Sequence, residues 1–182
     1  ELPEAEPEVT DEAAIASSIG QGTNNYTTSQ LARYATTIAS RGTSYSISLL
    51  DKVTDSQGNL VKDYTPEIIN QMDVSDSEWD IIHNGMREVV ENNAAFDDLD
   101  YAVSGKTGTA ENTGHPSHGL FIGFTPSDDP EIAMAVRIAN GYSSTNAAAV
   151  AKDVIKYEYN LADESQLLSG TATSGESTAQ TD

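Results

Sequence analysis

The residues best suited to chemistry lie in the stretch SGKTGTAEN, residues 104–112, where one lysine stands among hydroxyl side chains and glycines. Lys106 supplies a fixed positive charge, and Thr107 and Thr109 supply hydroxyl groups. Gly108 leaves space beside the backbone where a ligand could approach. Residues 106–109 form a tetrad of lysine, hydroxyl residue, glycine and hydroxyl residue. From ordinary residue frequencies, such a tetrad occurs by chance in a chain of this length with odds of roughly one per cent. The stretch is therefore a candidate binding or catalytic site.

One interpretation of the letters GKT is a phosphate-binding P-loop, which needs another glycine five residues before Gly105. That position is Asp100, a carboxylate that repels phosphate. The residues YAVS between them favour a strand, and the following AENTGHPSHG is rich in turn residues. The helix N-terminus that would bind phosphate is missing from this pattern. The sequence therefore argues against a phosphate site.

Two interpretations of this strand remain, a solvated edge strand that carries a lysine and a strand that recognises an extended peptide. Because strand side chains alternate, Lys106 and Gly108 share one face, and Thr107 and Thr109 share the other. Twist at a sheet edge can still turn neighbouring hydroxyls toward one ligand. In the second interpretation the backbone N–H of Thr109 donates to a developing oxyanion.

Composition excludes several classes of function. The chain has 9 basic and 29 acidic residues and a net charge of −20, which argues against nucleic-acid binding because phosphates require a basic surface. It has no cysteine, which excludes disulfides, thiolate metal sites and a cysteine nucleophile. His115 and His118 have no third ligand nearby, so we expect a polar turn and no metal or cofactor.

Hydrophobic periodicity predicts three helices. Thr27 with Gln30 and Ser75 with Glu78 have the spacing of capping boxes, which mark helix starts. The predicted helices and their inward-facing residues are Thr27 to Ser40 (Leu31, Tyr34, Ala35, Ile38), a second helix opened by Ser75 (Trp79, Ile82, Met86, Val89) and Asn146 to Tyr159 (Val150, Val154, Tyr157). We assign Ser144 to the start of the last helix.

The remaining segments predict strands and set the fold class. Alternation predicts strands over SISLLDKVTD and NLVKDY, joined by a turn at residues 56–58, and over Tyr101 to Glu111, HGLFIGF and EIAMAVRI. Short connections favour antiparallel pairing, so we expect an α+β fold with helices packed on an antiparallel sheet. We expect Asp97, Asp98 and Asp100 to be solvated, and Glu111 to be a solvated strand end.

The chain divides into three predicted parts. Residues 1–14 form an acidic N-terminal segment that would not fold alone, residues 15–160 form the domain, and residues 161–182 form a Ser/Thr/Gly-rich tail. The first residues do not look like a translation start, which suggests that the chain was cut from a longer protein. No run of about 18 apolar residues is present.

Three stretches resemble class B penicillin-binding proteins, the serine DD-transpeptidases. SGKTGTAEN resembles their Lys-Thr-Gly motif. SIGQGTNNYTTSQLARYATTIASRGT is similar to the segment that precedes it, and HGLFIGFTPSDDPEIAMAVRIANG resembles the strand pair that follows. The resemblance runs from about Ile15 to Tyr159 and implies a DD-transpeptidase/β-lactamase-like domain. The length of RIANGYSSTNAAAVAKDVIKYEY favours the elongation type.

The resemblance implies a function and a set of roles. In the family, an active-site serine attacks the penultimate D-Ala carbonyl of a peptidoglycan stem peptide, the terminal D-Ala leaves, and the acyl-enzyme passes its acyl group to an amine on a neighbouring strand. β-Lactams mimic D-Ala-D-Ala and acylate the same serine. Lys106, Thr107, Gly108 and Thr109 would then bind substrate, and Lys106 and Thr109 would also be catalytic. The implied location is the outer face of the bacterial cytoplasmic membrane, with an anchor outside this chain, and the implied partners include a glycosyltransferase of the elongation machinery.

The sequence departs from the family pattern in its nucleophile. No lysine has a serine three residues before it, so the Ser-x-x-Lys motif is not in this chain. Ser-x-Asn occurs only at Ser144 to Asn146, after Lys106, whereas the family order places it before. We therefore expect the C-terminal part of a transpeptidase domain whose N-terminal remainder carries the nucleophile. The alternative is a binding or structural module that keeps the fold without chemistry.

Overall fold

The computed structural model describes residues 4–6, 11–22 and 25–167. In chain order the elements are α1 (Asp11–Ser17), α2 (Thr28–Ala39), β1 (Thr43–Tyr45), β2 (Lys52–Thr54), β3 (Leu60–Asp63), β4 (Ile68–Gln71), α3 (Asp76–Glu91), a 3-10 turn (Ala94–Phe96), β5 (Ser104–Asn112), β6 (His115–Thr125), β7 (Ile132–Ile138), α4 (Ser144–Glu158) and α5 (Glu164–Leu167). The predicted α+β class, with an antiparallel sheet flanked by helices, is confirmed.

The largest sheet consists of three antiparallel strands in the order β5-β6-β7, so β5 is an edge strand. All three strands were predicted, but β5 begins at Ser104 and not at Tyr101. The carbonyl of Ala102 accepts hydrogen bonds from the Ser127 N–H and the Thr125 hydroxyl, both at 3.0 Å. These bonds fix the chain just before it joins the ladder to β6.

Helices cover both faces of this sheet. Phe121 and Phe124 lie on opposite faces of β6 and are fully buried. The core around Phe121 contains Val90, Phe96, Val103, Ala147, Ala148, Ala151 and Ile155, and the core around Phe124 contains Ile38, Trp79 and Met86. Helix α4 therefore packs on one face together with Val90 at the end of α3, and α2 and the rest of α3 pack on the other.

The predicted inward face of the last helix is wrong. Val150, Val154 and Tyr157 are 43%, 43% and 57% exposed. The buried residues of α4 include Ala147, Ala148, Ala151 and Ile155, which are fully buried. Small alanine side chains let the helix approach the sheet closely, so the buried face is not the one with the largest apolar residues. The side chain that caps α4 belongs to Ser143, one residue before Ser144.

The capping boxes of α2 and α3 are both confirmed. On α2, Ala35 and Ile38 are buried as predicted, whereas Tyr34 is exposed. The predicted face of α3 is correct at Trp79 and Met86.

At two positions the buried face of α3 is shifted by one residue, because His83 and Val90 are buried where Ile82 and Val89 were predicted. The buried Nε2 atom of His83 shares a hydrogen bond of 2.7 Å with the carbonyl of Ile38, which joins α3 to α2.

Residues 43–71 form two small sheets, in which β1 pairs with β4 and β2 pairs with β3. The predicted β2–β3 hairpin is present, and Asp55 organises its turn by accepting hydrogen bonds of 2.9 Å from the N–H groups of Gln57 and Asn59. Every residue of β2, β3 and β4 is exposed. Neither β1 nor β4 was predicted from the sequence, because β1 lies before the predicted strand and the four residues of β4 show no alternation.

The two ends of the chain contain more structure than the sequence predicts, as far as they are described. The predicted boundary after residue 14 lies inside α1, and α5 lies inside the predicted tail. Ala5 forms two hydrogen bonds with the side chain of Gln30 at the start of α2. The predicted segments at 1–3, 7–10 and 168–182 lie outside the described residues. Among the described helices, none has the length and apolar character needed to cross a membrane.

Candidate substrate-binding strand

The four predicted site residues lie together on the edge strand β5 and alternate between its faces. Lys106 and Gly108 stand opposite Ile122 and Leu120 of β6, on the face that α2 and α3 cover. Thr107 and Thr109 stand opposite Phe121 and Gly119, on the face that α4 covers. Their side chains therefore lie on two faces of the sheet, and what the four residues share is the exposed backbone edge of β5.

The two glycines beside the lysine have different physical roles. A side chain at Gly105 would overlap the ring of Phe121, so this glycine is required for packing of the core. A Cβ atom at Gly108 would meet only the Leu120 Cβ, at an ordinary 3.7 Å. Gly108 is therefore not required for packing and leaves room for a group of about that size, as at a position against which a ligand backbone can lie.

Lys106 carries an exposed positive charge that, within the described part of the chain, has no carboxylate partner. Its Nζ atom donates instead to the backbone carbonyl of Thr107 at 2.8 Å. By contrast, most basic residues form ion pairs, namely Arg33, Arg41, Lys52, Arg87, Lys152 and Lys156. In a chain with a net charge of −20, such a lysine is a suitable partner for the carboxylate of a ligand.

A residue that the sequence analysis did not assign to the site also contacts β5. The Nε2 atom of Gln21 donates a hydrogen bond of 3.1 Å to the carbonyl of Thr109. The two residues are 88 positions apart, so no spacing rule could connect them. Gln21 belongs to the SIGQG stretch, which only the family resemblance distinguishes from its surroundings.

The segment that leads into β5 is held by ion pairs. Asp98 lies 2.8 Å from the Nζ of Lys152 and 2.6 Å from the Nζ of Lys156, both on α4. Hydrogen bonds from these lysines lower the pKa of Asp98 to about 2. Asp98 is exposed, as expected, but it also forms two ion pairs that the sequence pattern could not reveal, because the lysines are more than 50 residues away. Asp97, Asp100 and Glu111 are exposed, as expected.

Comparison with known proteins identifies the family. The sequence profile of the family described as "Penicillin binding protein transpeptidase domain" matches residues 2–156. The chain belongs to this family. Penicillin-binding protein 2B of Streptococcus pneumoniae strain R6 is 30% identical over 78% of this chain and 23% of the relative. Peptidoglycan D,D-transpeptidase MrdA of Acinetobacter baumannii is 31% identical over 79% of this chain and 24% of the relative. The chain thus spans about a quarter of the length of these relatives.

Solved penicillin-binding proteins share the fold. Penicillin-binding protein 2B from S. pneumoniae strain R6 has a TM-score of 0.73 at 27% identity, over 88% of this chain and 29% of that chain. The imipenem acyl-enzyme complex of penicillin-binding protein A from M. tuberculosis has a TM-score of 0.71 at 25% identity, over 79% of this chain and 33% of that chain. The fold is therefore that of a penicillin-binding transpeptidase domain.

Other candidate residues of this penicillin-binding domain have structural roles. Ser104 is fully buried, and its hydroxyl donates to the Ser127 hydroxyl at 3.0 Å. Ser144 is 2% exposed at the start of α4. The Nδ1 atom of His118 accepts a hydrogen bond from the Asn140 N–H at 3.0 Å, whereas the His115 side chain is exposed. Among the described residues, no group of three or more His, Cys, Asp or Glu side chains could hold a metal ion.

Proposed function

We propose that this chain is the substrate- and penicillin-binding portion of a peptidoglycan DD-transpeptidase that cross-links stem peptides through an acyl-enzyme. The observation that carries the proposal is the edge strand β5, where the exposed charge of Lys106 lies beside the uncrowded Gly108. Two relatives add support: one is named a peptidoglycan D,D-transpeptidase, and one was solved as an imipenem acyl-enzyme.

The proposed roles follow from the chemistry of a peptide that ends in D-Ala-D-Ala. Lys106 binds the terminal carboxylate through a charge-assisted hydrogen bond. Twist of the edge strand turns the hydroxyls of Thr107 and Thr109, which belong to the other face, toward the same carboxylate. The ligand backbone lies against Gly108 and extends the sheet beyond β5. The N–H of Thr109 forms half of an oxyanion hole, a type of donor whose removal typically costs about 2.7–4 kcal/mol of transition-state stabilisation. A β-lactam occupies the same place.

The nucleophile of the proposed reaction lies outside this chain. None of its lysines follows a serine by three residues, and the buried Ser104 and Ser144 cannot reach a substrate. We propose that an N-terminal remainder of the transpeptidase domain supplies the Ser-x-x-Lys motif and completes the site. The domain proper is assigned to residues 15–160, between the acidic segment 1–14 and the tail 161–182.

The whole protein is proposed to be of class B and of the elongation type. It would act at the outer face of the bacterial cytoplasmic membrane, held by an anchor outside this chain. There it would work with a glycosyltransferase of the elongation machinery on peptidoglycan. No nucleic acid, metal or cofactor takes part in this proposal.

The test is the second-order rate of penicillin acylation in the intact protein that contains this chain and the nucleophile. Lys106→Ala removes a charge-assisted hydrogen bond worth about 1.5–3 kcal/mol, so we expect a loss of roughly ten- to hundredfold. Lys52→Ala is the matched control, because Lys52 lies on the exposed hairpin and, among the described residues, forms an ion pair only with its neighbour Asp51. Equal rates for the two variants would refute the assignment of Lys106.

Mass spectrometry of this chain after incubation with penicillin tests the location of the nucleophile. We expect no covalent adduct, because acylation needs an activated serine. A stable acyl adduct on Ser104 or Ser144 would overturn the proposed active site. If the intact protein itself is not acylated, the alternative of a non-catalytic binding or structural module is the correct one.

A further inference from the structure

We propose that Gln21 is a positioning residue of this site, and this inference rests on the proposed function. Its side-chain amide binds the carbonyl of Thr109 and so fixes the backbone of β5 beyond Gly108. Gln21 need not touch the substrate to have this effect. It would act through Thr109, whose N–H is the proposed oxyanion donor.

Two side-chain donors lie on either side of Gly108 along the outer edge of β5. The Nζ of Lys106 binds the carbonyl of Thr107 at 2.8 Å, and the Nε2 of Gln21 binds the carbonyl of Thr109 at 3.1 Å. Alternate residues of an edge strand direct their backbone groups away from the neighbouring strand, and Thr107 and Thr109 are two such residues. The two side chains therefore bind the edge along which a ligand strand would pair.

Gly108 makes this restraint necessary. Glycine has more backbone freedom than any other residue, and it weakens a strand because it has no side chain to pack. A Cβ atom at Gly108 would make only one ordinary contact, so side-chain packing does little to hold this part of the strand. The carbonyl and the N–H of one strand residue point to the same edge. When Gln21 holds the carbonyl of Thr109, it also keeps the N–H of Thr109 directed to that edge.

The backbone of Gln21 is itself fixed by the end of α1. Its N–H donates to the carbonyl of Ala16 at 3.0 Å, and the N–H of Gly20 donates to the carbonyl of Ser17 at 3.0 Å. Together with the φ of +77° at Gly20, these bonds form a Schellman motif, which ends a helix in one defined geometry. The SIGQG stretch thus has a physical explanation: its first glycine turns the chain, and its glutamine reaches β5.

The first experiment compares Gln21→Met with the wild type, because methionine has nearly the same size but no donor. In NMR spectra of this chain, loss of the bond to the Thr109 carbonyl should shift the amide signal of Ala110, which belongs to the same peptide unit. Gln57→Met, in the exposed turn of the hairpin, is the matched control and should leave that signal unchanged. An unchanged Ala110 signal in Gln21→Met would overturn the inference and leave the proposed function intact.

The second experiment measures acylation in the intact protein, with binding and chemistry separated. Gln21→Met should lower the maximal acylation rate constant roughly five- to tenfold, the effect of one lost neutral hydrogen bond. The apparent affinity before acylation should change less than about twofold, because Lys106 still binds the carboxylate. A purely structural role would instead lower the thermal stability and leave the rate constant of the folded fraction unchanged.

The variant Gln21→Glu adds a pH profile that a purely structural role, without influence on the acylation site, would not produce. An ionised glutamate cannot donate, whereas its protonated form can donate one O–H to the Thr109 carbonyl. The acylation rate of Gln21→Glu relative to wild type should therefore rise as the pH falls from 7 toward about 4.3. Normal acylation by Gln21→Met would overturn this inference alone. A wild-type protein that is not acylated would overturn the proposed function, and this inference with it.

Discussion

The sheet β5-β6-β7 and the hairpin β2–β3 are built from similar strand-forming sequences, yet only the sheet has a core. Phe121 and Phe124 of β6 are fully buried, whereas Leu60 and Val61 of β3 are 61% and 65% exposed. The difference lies in what covers each sheet. Helices cover both faces of β6, and every described residue from 51 to 63 is exposed. Apolar alternation predicts a strand, but a second layer is needed to bury it.

Glycines at the sheet show how close its second layer lies. A side chain at Gly119 would collide with the backbone of Ser143, where α4 begins. In the hairpin, a Cβ atom at Gly58 would meet nothing within 4 Å, and the positive φ of +86° alone explains this glycine. The sheet therefore uses glycine for close packing, and the hairpin uses it for a turn. Global stability should accordingly depend on the sheet and not on the hairpin.

The largest expected effect is on stability and compares Phe121→Ala with Leu60→Ala. Removal of a fully buried phenylalanine typically costs about 3–5 kcal/mol, so Phe121→Ala should strongly lower the free energy of unfolding or abolish cooperative unfolding. Leu60→Ala should change it by less than about 0.5 kcal/mol. Urea denaturation monitored by circular dichroism measures both. A similar loss in the two variants would mean that the hairpin belongs to the core.

Sequence reasoning succeeds where local chemistry determines the structure and fails where tertiary packing does. The capping boxes at Thr27 and Ser75 locate two helix starts because their hydrogen bonds join residues three apart. The buried face of α4 was wrong because Ala147, Ala148 and Ala151 are buried by close approach to the sheet. The buried His83 was missed because its partner, the carbonyl of Ile38, lies on another helix.

The same division applies to the candidate site. The tetrad from Lys106 to Thr109 was found from the sequence because its residues are contiguous on one strand. Gln21 and the ion pairs of Asp98 were missed because their partners lie far along the chain. The sequence also could not show that Gly105 and Gly108 have different roles, since the clash of a side chain at Gly105 depends on Phe121 of the next strand.

The next prediction separates packing from ligand space within β5. Gly105→Ala forces a methyl group into the ring of Phe121, so we expect a loss of about 1–3 kcal/mol in the free energy of unfolding. Gly108→Ala makes only an ordinary contact and should change stability by less than about 0.5 kcal/mol. Thermal and urea unfolding of both variants measure the difference.

The activity of Gly108 variants completes that test. Gly108→Val suits a strand but fills the space where the ligand backbone would lie. In the intact protein, the variant should remain folded and lose at least about tenfold in the rate of penicillin acylation, as Lys106→Ala does. Wild-type acylation by a folded Gly108→Val protein would show that the ligand does not lie against this strand.

The smallest expected effect compares two carboxylates, Asp98 beside the sheet and Asp55 in the hairpin turn. Hydrogen bonds from Lys152 and Lys156 lower the pKa of Asp98 from its ordinary 3.8 to about 2. Hydrogen bonds from Asn59 lower the pKa of Asp55 as well. Only Asp98 connects separate elements, since its lysines are on α4, whereas Asn59 lies four residues from Asp55.

A carboxylate whose pKa is lower in the folded state stabilises the fold fully above its unfolded pKa, and that contribution disappears as the pH falls through the folded value. For Asp98 the contribution should therefore be complete above about pH 5 and vanish between 3.8 and about 2. Since its side chain is 60% exposed, the free energy involved is less than about 1 kcal/mol.

Asp98→Asn should lower the free energy of unfolding at pH 7 by that amount and reduce the dependence of stability on acid pH, as measured by urea unfolding from pH 7 to 2. Asp55→Asn should leave the acid dependence of global unfolding unchanged, because the exposed hairpin can open without the sheet. If Asp55→Asn reduces it as much as Asp98→Asn, the hairpin unfolds together with the sheet, and the two regions form one cooperative unit.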